Sequence, residues 1–299
     1  MFFSGYYRAR LLLLAGVVAA AAIFTFASRQ FHVPAFPGFG GSLMAEPSPL
    51  VATLVVAAAL LVSVLLATLI AGTVRFDAGL FCAALGMTAL SIRGGHIGDV
   101  LRQAGPSGSP VIFVHLALEL VVLYALVALA WSVLWALHTG GHLKADEFRD
   151  GIEDTDEPLI FNISALAMQA GVMILGMMLL AQSDAKAQAL AAVGISSFIG
   201  ACAAYYMYPI SASAWLWVGP MIVGIAGYIF AYLTLGHGDL LWKTGQLNFA
   251  LAPLARPLPL DYATAGPAGA ILGYWLSRRW HRQRLTESAA PESSPTPAP

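Results

Sequence analysis

The chain has 299 residues, 59% of them hydrophobic and only 10% charged, against about 25% charged in an ordinary soluble domain. A water-soluble core could hide part of that excess, but not unbroken apolar runs such as Leu50 to Ala71. The net charge of −1 argues neither for nor against an acidic partner, and since no basic cluster interleaved with aromatic residues suggests nucleic acid, none is expected.

A hydrocarbon layer of about 30 Å needs roughly 20 helical residues to cross it. Eight apolar stretches of that order follow one another along the chain. The first, about 11–27, lies behind Arg8 and Arg10 and also has the outline of a cleavable leader. Its length and the bulky Phe24 and Phe26 favour a retained anchor. A loop broken by Pro34, Pro37, Gly38, Gly40, Gly41, Pro47 and Pro49 follows. The second span, about 50–73, turns at Arg75-Phe76-Asp77 into the third, about 78–92, which is short enough to be re-entrant.

A polar, glycine-rich segment from Arg93 to Pro110 leads to the fourth span, about 111–138. At 1.5 Å per residue this span is roughly 42 Å long and must tilt or protrude. A charged loop, 140–158, precedes the fifth, sixth and seventh spans, about 159–182, 187–208 and 214–236. Tyr205, Tyr206, Tyr208, Trp215 and Trp217 near the last hairpin are the residue types that gather at headgroup level. An irregular segment, 237–260, leads to the last span, about 261–276, which ends at the basic run Arg278 to Arg284.

The expected fold is therefore all-α: a polytopic transmembrane helical bundle of about eight helices, or seven if the third is re-entrant. It occupies residues 1–286, and 287–299 form a disordered tail of Pro, Ser, Ala and Glu. With eight crossings and both termini cytoplasmic, nine Lys and Arg lie inside (Arg8, Arg10, Arg75, Lys144, Arg149, Arg278, Arg279, Arg282, Arg284) against six outside. That bias follows the positive-inside rule and fits a plasma (inner) membrane location.

Chemistry-bearing residues are few. Glu119 is the one carboxylate deep within a span, and His115 precedes it by one helical turn. A carboxylate at that depth needs a partner, a proton or water. A His115–Glu119 couple is the kind of element that handles protons, whereas the plainer reading is a polar clamp onto Asn162 or Gln169 of the fifth span. Arg93, His96 and Asp99, in the glycine-rich segment, lie on the same side as the start of the fourth span. With His115, Glu119 and His237-Gly238-Asp239 they are candidates for an outward-facing polar pocket. Turn geometry alone also accounts for such residues in a loop.

His138, His142 and Asp146 have helical spacing, but Gly140-Gly141 is expected to end the helix before they align. The acidic loop Asp146–Glu157 fails the calcium-loop pattern at Phe148, Glu153 and Pro158. Cys82 and Cys202 fall in separate apolar spans and support neither a disulfide framework nor a metal site. Gly105-Pro-Ser-Gly-Ser109 has no convincing histidine partner, and there is no P-loop. No cofactor or metal is implied, and no catalytic residue stands out. The expected function is that of a non-enzymatic membrane component or subunit. The alternative is a small-solute permease, proton-coupled through His115 and Glu119. The expected partners are the lipid bilayer with either membrane proteins or a small solute.

Overall fold

The computed structural model describes residues 2–31, 42–104, 109–140, 158–235 and 247–289. Every regular element among them is helical. In chain order these are α1 (Phe2–Ala27), α2 (Pro49–Ala71), α3 (Ala78–Arg93), α4 (Ile97–Ala104), α5 (Val111–Thr139) and α6 (Leu159–Leu180). Then follow α7 (Lys186–Met207), α8 (Ala214–Trp217), α9 (Gly219–Leu235), α10 (Ala252–Ala255) and α11 (Pro259–Ala289). Short 3-10 turns cover Ser28–Gln30 and Leu43–Ala45.

The side chains are distributed the wrong way round for water. Leu179, Leu50 and Leu69 point outward at 77%, 74% and 72% exposure, while Ser63, Gln169, Ser196 and Ser197 are fully enclosed. In water the outward leucines would cost free energy in proportion to their area. Among lipid tails they cost nothing, and the backbone polar groups are satisfied within each helix. Six helical stretches among the described residues are long and apolar enough to cross a membrane: Tyr7–Gln30, Pro49–Ala71, Val111–Leu137, Leu159–Leu180, Lys186–Met207 and Ala214–Leu235. The chain thus has the build of a multi-pass membrane protein.

α11 is the axis of the assembly. From Ala252 to Ile271 all residues but Arg256 are buried, and α11 packs most closely on α7 while also touching α3, α5, α8 and α9. Close approach to α7 depends on glycine. A Cβ on Gly269 would lie 2.3 Å from the Gly194 carbonyl oxygen, and one on Gly273 would lie 2.5 Å from that of Phe198. The two helices run parallel, with Ser197 Oγ donating to the Gly266 carbonyl at 2.8 Å. α3 runs antiparallel to α11 and meets it at both ends. Asp77, before α3, accepts the Trp275 indole N–H at 2.7 Å, and Ser91, near its other end, donates its hydroxyl to Asp261. Asp77 lies in the turn outside the helices, where burial pushes its carboxyl above the ordinary range. The Trp275 and Ser213 hydrogen bonds and the Arg75 charge work the other way.

α1 and α3 are parallel, since Gly16 faces Cys82 and Gly86 faces Ala20. α2 runs against α3, with Thr68 beside Gly79. On α5, Leu120 meets Gly224 of α9, and the Tyr124 hydroxyl donates to the Tyr262 carbonyl of α11.

Several expectations change. The segment 93–110 is not wholly irregular: α4 forms within it because Ile97, Val100 and Leu101 share a buried face. The seventh span is two helices, α8 and α9, interrupted at Val218 just before Pro220. Trp217, expected at the membrane surface, is instead buried and stacked on Tyr124 with ring centroids 6.3 Å apart. The last helix does not stop at Leu276. It runs through the basic stretch to Ala289, three residues into the expected tail, because neither Gly nor Pro interrupts it after Gly273. α5 ends at Thr139, with the Gly140 N–H donating to the Ala136 carbonyl. The proline-glycine stretch at 34–41, the Gly105–Ser107 stretch, His142 with the acidic loop 146–157, His237-Gly238-Asp239 and the tail beyond Ala289 all lie outside the described residues.

Candidate functional site

Where the chain enters α11 it leaves helical geometry inside the bundle. α10 ends at Ala255 and α11 begins at Pro259, and the intervening Pro257 and Leu258 are buried. The Leu254 carbonyl rests on Gly227, halfway along α9, where an added Cβ would lie 2.6 Å from it. Irregular backbone at that depth is tolerated where protein groups satisfy it. Two tyrosines do so: the Tyr262 hydroxyl donates to the Leu254 carbonyl at 2.7 Å, and the Tyr228 hydroxyl donates to that of Pro257.

The first turn of α11 carries Asp261, 1% exposed. Its Oδ2 accepts the Leu258 N–H at 2.9 Å, completing the helix start, and its Oδ1 accepts the Ser91 hydroxyl. The same oxygen lies 2.7 Å from the ammonium of Lys186, whose side chain is 15% exposed. Lys186 opens α7, an end whose dipole disfavours a cation. Its place there is explained by the carboxylate it meets. A second pair flanks the first, with Arg256 Nε 3.3 Å from Asp184 Oδ1. Arg256 also donates from Nη1 to the Ala181 carbonyl at 2.6 Å, which closes the end of α6.

Glu119 enters this end of the bundle from α5 and is 2% exposed. The turn preceding α2 covers it: the Ser42 hydroxyl and the Met44 N–H, the latter at 3.3 Å, both donate to Oε2. Oε1 accepts nothing among the described residues. Lys186 stands close enough to act electrostatically on this carboxyl. Lys186 of α7 thus pairs with Asp261 of α11 and acts at longer range on Glu119 of α5, which the Ser42–Met44 turn covers as a cap.

The other expected residues fall elsewhere. His115, one turn before Glu119, is exposed, and the partners of Glu119 are in the cap. The expected clamp onto Asn162 or Gln169 is replaced by that cap. Gln169 packs against Gly200 and Gly219, and neither of its amide atoms has a hydrogen-bond partner. Arg93 donates to Ser28 Oγ at 2.7 Å and ties α3 to the end of α1. Asp99 accepts the His96 N–H at 3.0 Å, capping α4, and pairs with Arg102 at 2.6 Å. Burial works to raise the Asp99 carboxyl, but the His96 N–H bond, the Arg102 guanidinium and the His96 ring hold it below the ordinary range. The His96 ring lies 3.5 Å from Asp99 at the partly exposed start of α4. Among the described residues no group of His, Cys, Asp and Glu is arranged to hold a metal ion.

Sequence reasoning missed Lys186, Asp261, Ser42 and Ser91. The one available signal was an acid three residues into a proline-led helix, Pro259-Leu260-Asp261, which announces a helix start. No family model, no curated protein and no solved structure matches the chain.

Proposed function

We propose that this is a non-enzymatic plasma-membrane protein, a permease that couples a small solute to protons at Glu119. It crosses the membrane eight times with both termini in the cytoplasm. Eight passes are supported by α3, which meets α11 at both ends. Its 16 residues rise about 24 Å, close to the roughly 21 Å between Asp261 and Trp275 on α11. The helix directions alternate accordingly, with α1 parallel to α3 and α7 parallel to α11. The orientation rests on the basic run Arg278 to Arg284 after the eighth pass and on the nine-to-six bias in Lys and Arg.

The observation that carries the permease reading is Glu119 itself. It is a carboxyl at bilayer depth with one oxygen held by the Ser42–Met44 turn and the other unpartnered among the described residues, beside a buried ion pair. Ionisable groups inside a membrane bundle mark ion or proton paths by default, and interrupted helices beside them are a recurrent feature of transporters. A second reading, a structural subunit, is favoured by the closed Lys186–Asp261 and Arg256–Asp184 pairs, which hold helices together whether or not anything moves.

Glu119→Gln separates the two. It keeps an acceptor for Ser42 and Met44 but cannot release a proton. In proteoliposomes with a trapped pH dye, a panel of sugars, amino acids, organic acids and alkali salts is added outside. The permease reading expects one class to change the internal pH with the wild type and not with Glu119→Gln, while the variant still elutes as a folded protein. Wild-type vesicles that respond to no solute, or a variant that fails only by misassembling, contradict it.

A further inference from the structure

Among the described charged groups beside Glu119, the cations already have carboxylate partners. Lys186 is matched by Asp261 and Arg256 by Asp184, so among the described residues Glu119 has no ion pair of its own. The described groups on the neighbouring elements offer it no other charge. α2 carries no ionisable residue, and at the outer end of α3 Arg93 bonds to Ser28. Tyr228 and Tyr262, from α9 and α11, spend their hydroxyls on backbone carbonyls, as does Tyr124 of α5. Glu46, at the end of the cap, is buried and engaged in contacts of its own. Ionised Glu119 therefore brings one negative charge into a region closed to water, which is costly unless a positive charge arrives with it.

We infer that the solute is a small monovalent cation of the alkali type, which takes the place of the Glu119 proton. This inference rests on the permease reading above. One positive charge matches the one carboxylate to be neutralised, since Asp261 and Asp184 already face cations. It must also accept oxygen ligands: the free Oε1 of Glu119 and the Ser42 hydroxyl oxygen are the donors at hand, and hard cations favour such ligands. The exchange balances in charge and atoms. The Glu119 proton leaves to the aqueous phase, the cation enters at the carboxylate, and no bond other than O–H is broken. Binding at Oε1 leaves the Ser42 and Met44 hydrogen bonds to Oε2 in place.

The test uses the full chain in proteoliposomes that are acidic inside, with NaCl, KCl or choline chloride added outside. The expected result is alkalinisation of the lumen with Na+ or K+ and not with choline. The effect disappears in Glu119→Gln and persists in His115→Gln. Because proton and cation compete for one carboxylate, the apparent KM for the cation is expected to rise roughly tenfold for each unit the external pH falls below the Glu119 titration. If organic solutes move protons through Glu119 while Na+ and K+ act no differently from choline, the cation assignment is overturned and the permease reading stands. If no solute and no salt moves protons, both fall. A cation response unchanged in Glu119→Gln overturns the site.

Discussion

Replacing Lys186 by Met lowers the stability of the solubilised protein by about 3–5 kcal/mol, the cost of removing one partner from a buried ion pair. Asp261 is 1% exposed and faces Lys186 at 2.7 Å. Without the ammonium its charge has only the Ser91 hydroxyl and the Leu258 N–H for support. Thermal unfolding in detergent measures the loss. The same physics predicts a rescue: in Lys186→Met with Asp261→Asn no charge is left stranded, and most of the stability returns. A double variant as unstable as the single one would mean that Lys186 matters for its packing and not for its charge.

The second large effect is at the α7–α11 contact. Gly269→Val places a branched side chain where even a Cβ lies 2.3 Å from the Gly194 carbonyl and 3.2 Å from the Phe198 nitrogen. Those are backbone atoms of a packed helix and cannot swing aside. Overpacking of this kind costs about 1–3 kcal/mol and sometimes more. Since α11 is the axis of the bundle, the expected outcome is a sharply lower unfolding temperature and reduced yield. Gly171→Ala supplies the contrast: nothing lies within 4 Å of its added Cβ, so the better helix propensity of alanine holds or slightly raises stability. Equal behaviour of the two variants would remove close α7–α11 packing from the account.

The spans were legible because a membrane helix is written in one dimension, as a run of apolar residues of known length. The second span, expected over 50–73, is Pro49–Ala71, and the fourth, expected over 111–138, is Val111–Thr139. What one dimension hides is how such runs pack. Nothing in the apolar character of 261–276 marks it as the central helix, and the glycines that seat it are ordinary in any membrane segment. α4 was missed because eight residues give its apolar face too little repetition to stand out from a glycine-rich loop.

The same limit governs the site. Glu119 was visible as a carboxylate surrounded by apolar residues. Lys186 and Asp261 were not, because hydropathy ends a span at its first charge and assigns that charge to a loop. Both are at helix ends, yet both are inside the bundle, and their pairing joins positions 75 residues apart. His115 shows the converse: helical spacing places it near Glu119 along α5, but its side chain falls on the outward face of the helix while Phe113, Leu116 and Glu119 are buried.

The central claim is that eight alternating helices carry Glu119, Lys186 and Asp261 to one face of the membrane. It is tested most directly by labelling three single cysteines from each side, in a chain with Cys82 and Cys202 replaced by Ala. Gln30, Ser183 and Gln283, after α1, between α6 and α7 and in the basic last turns of α11, are exposed, and each is changed to Cys in turn. With a membrane-impermeant maleimide, positions 30 and 183 are expected to react in intact cells, and position 283 only after permeabilisation. Positions 30 and 183 labelling from opposite sides, or 183 and 283 from the same side, would contradict it.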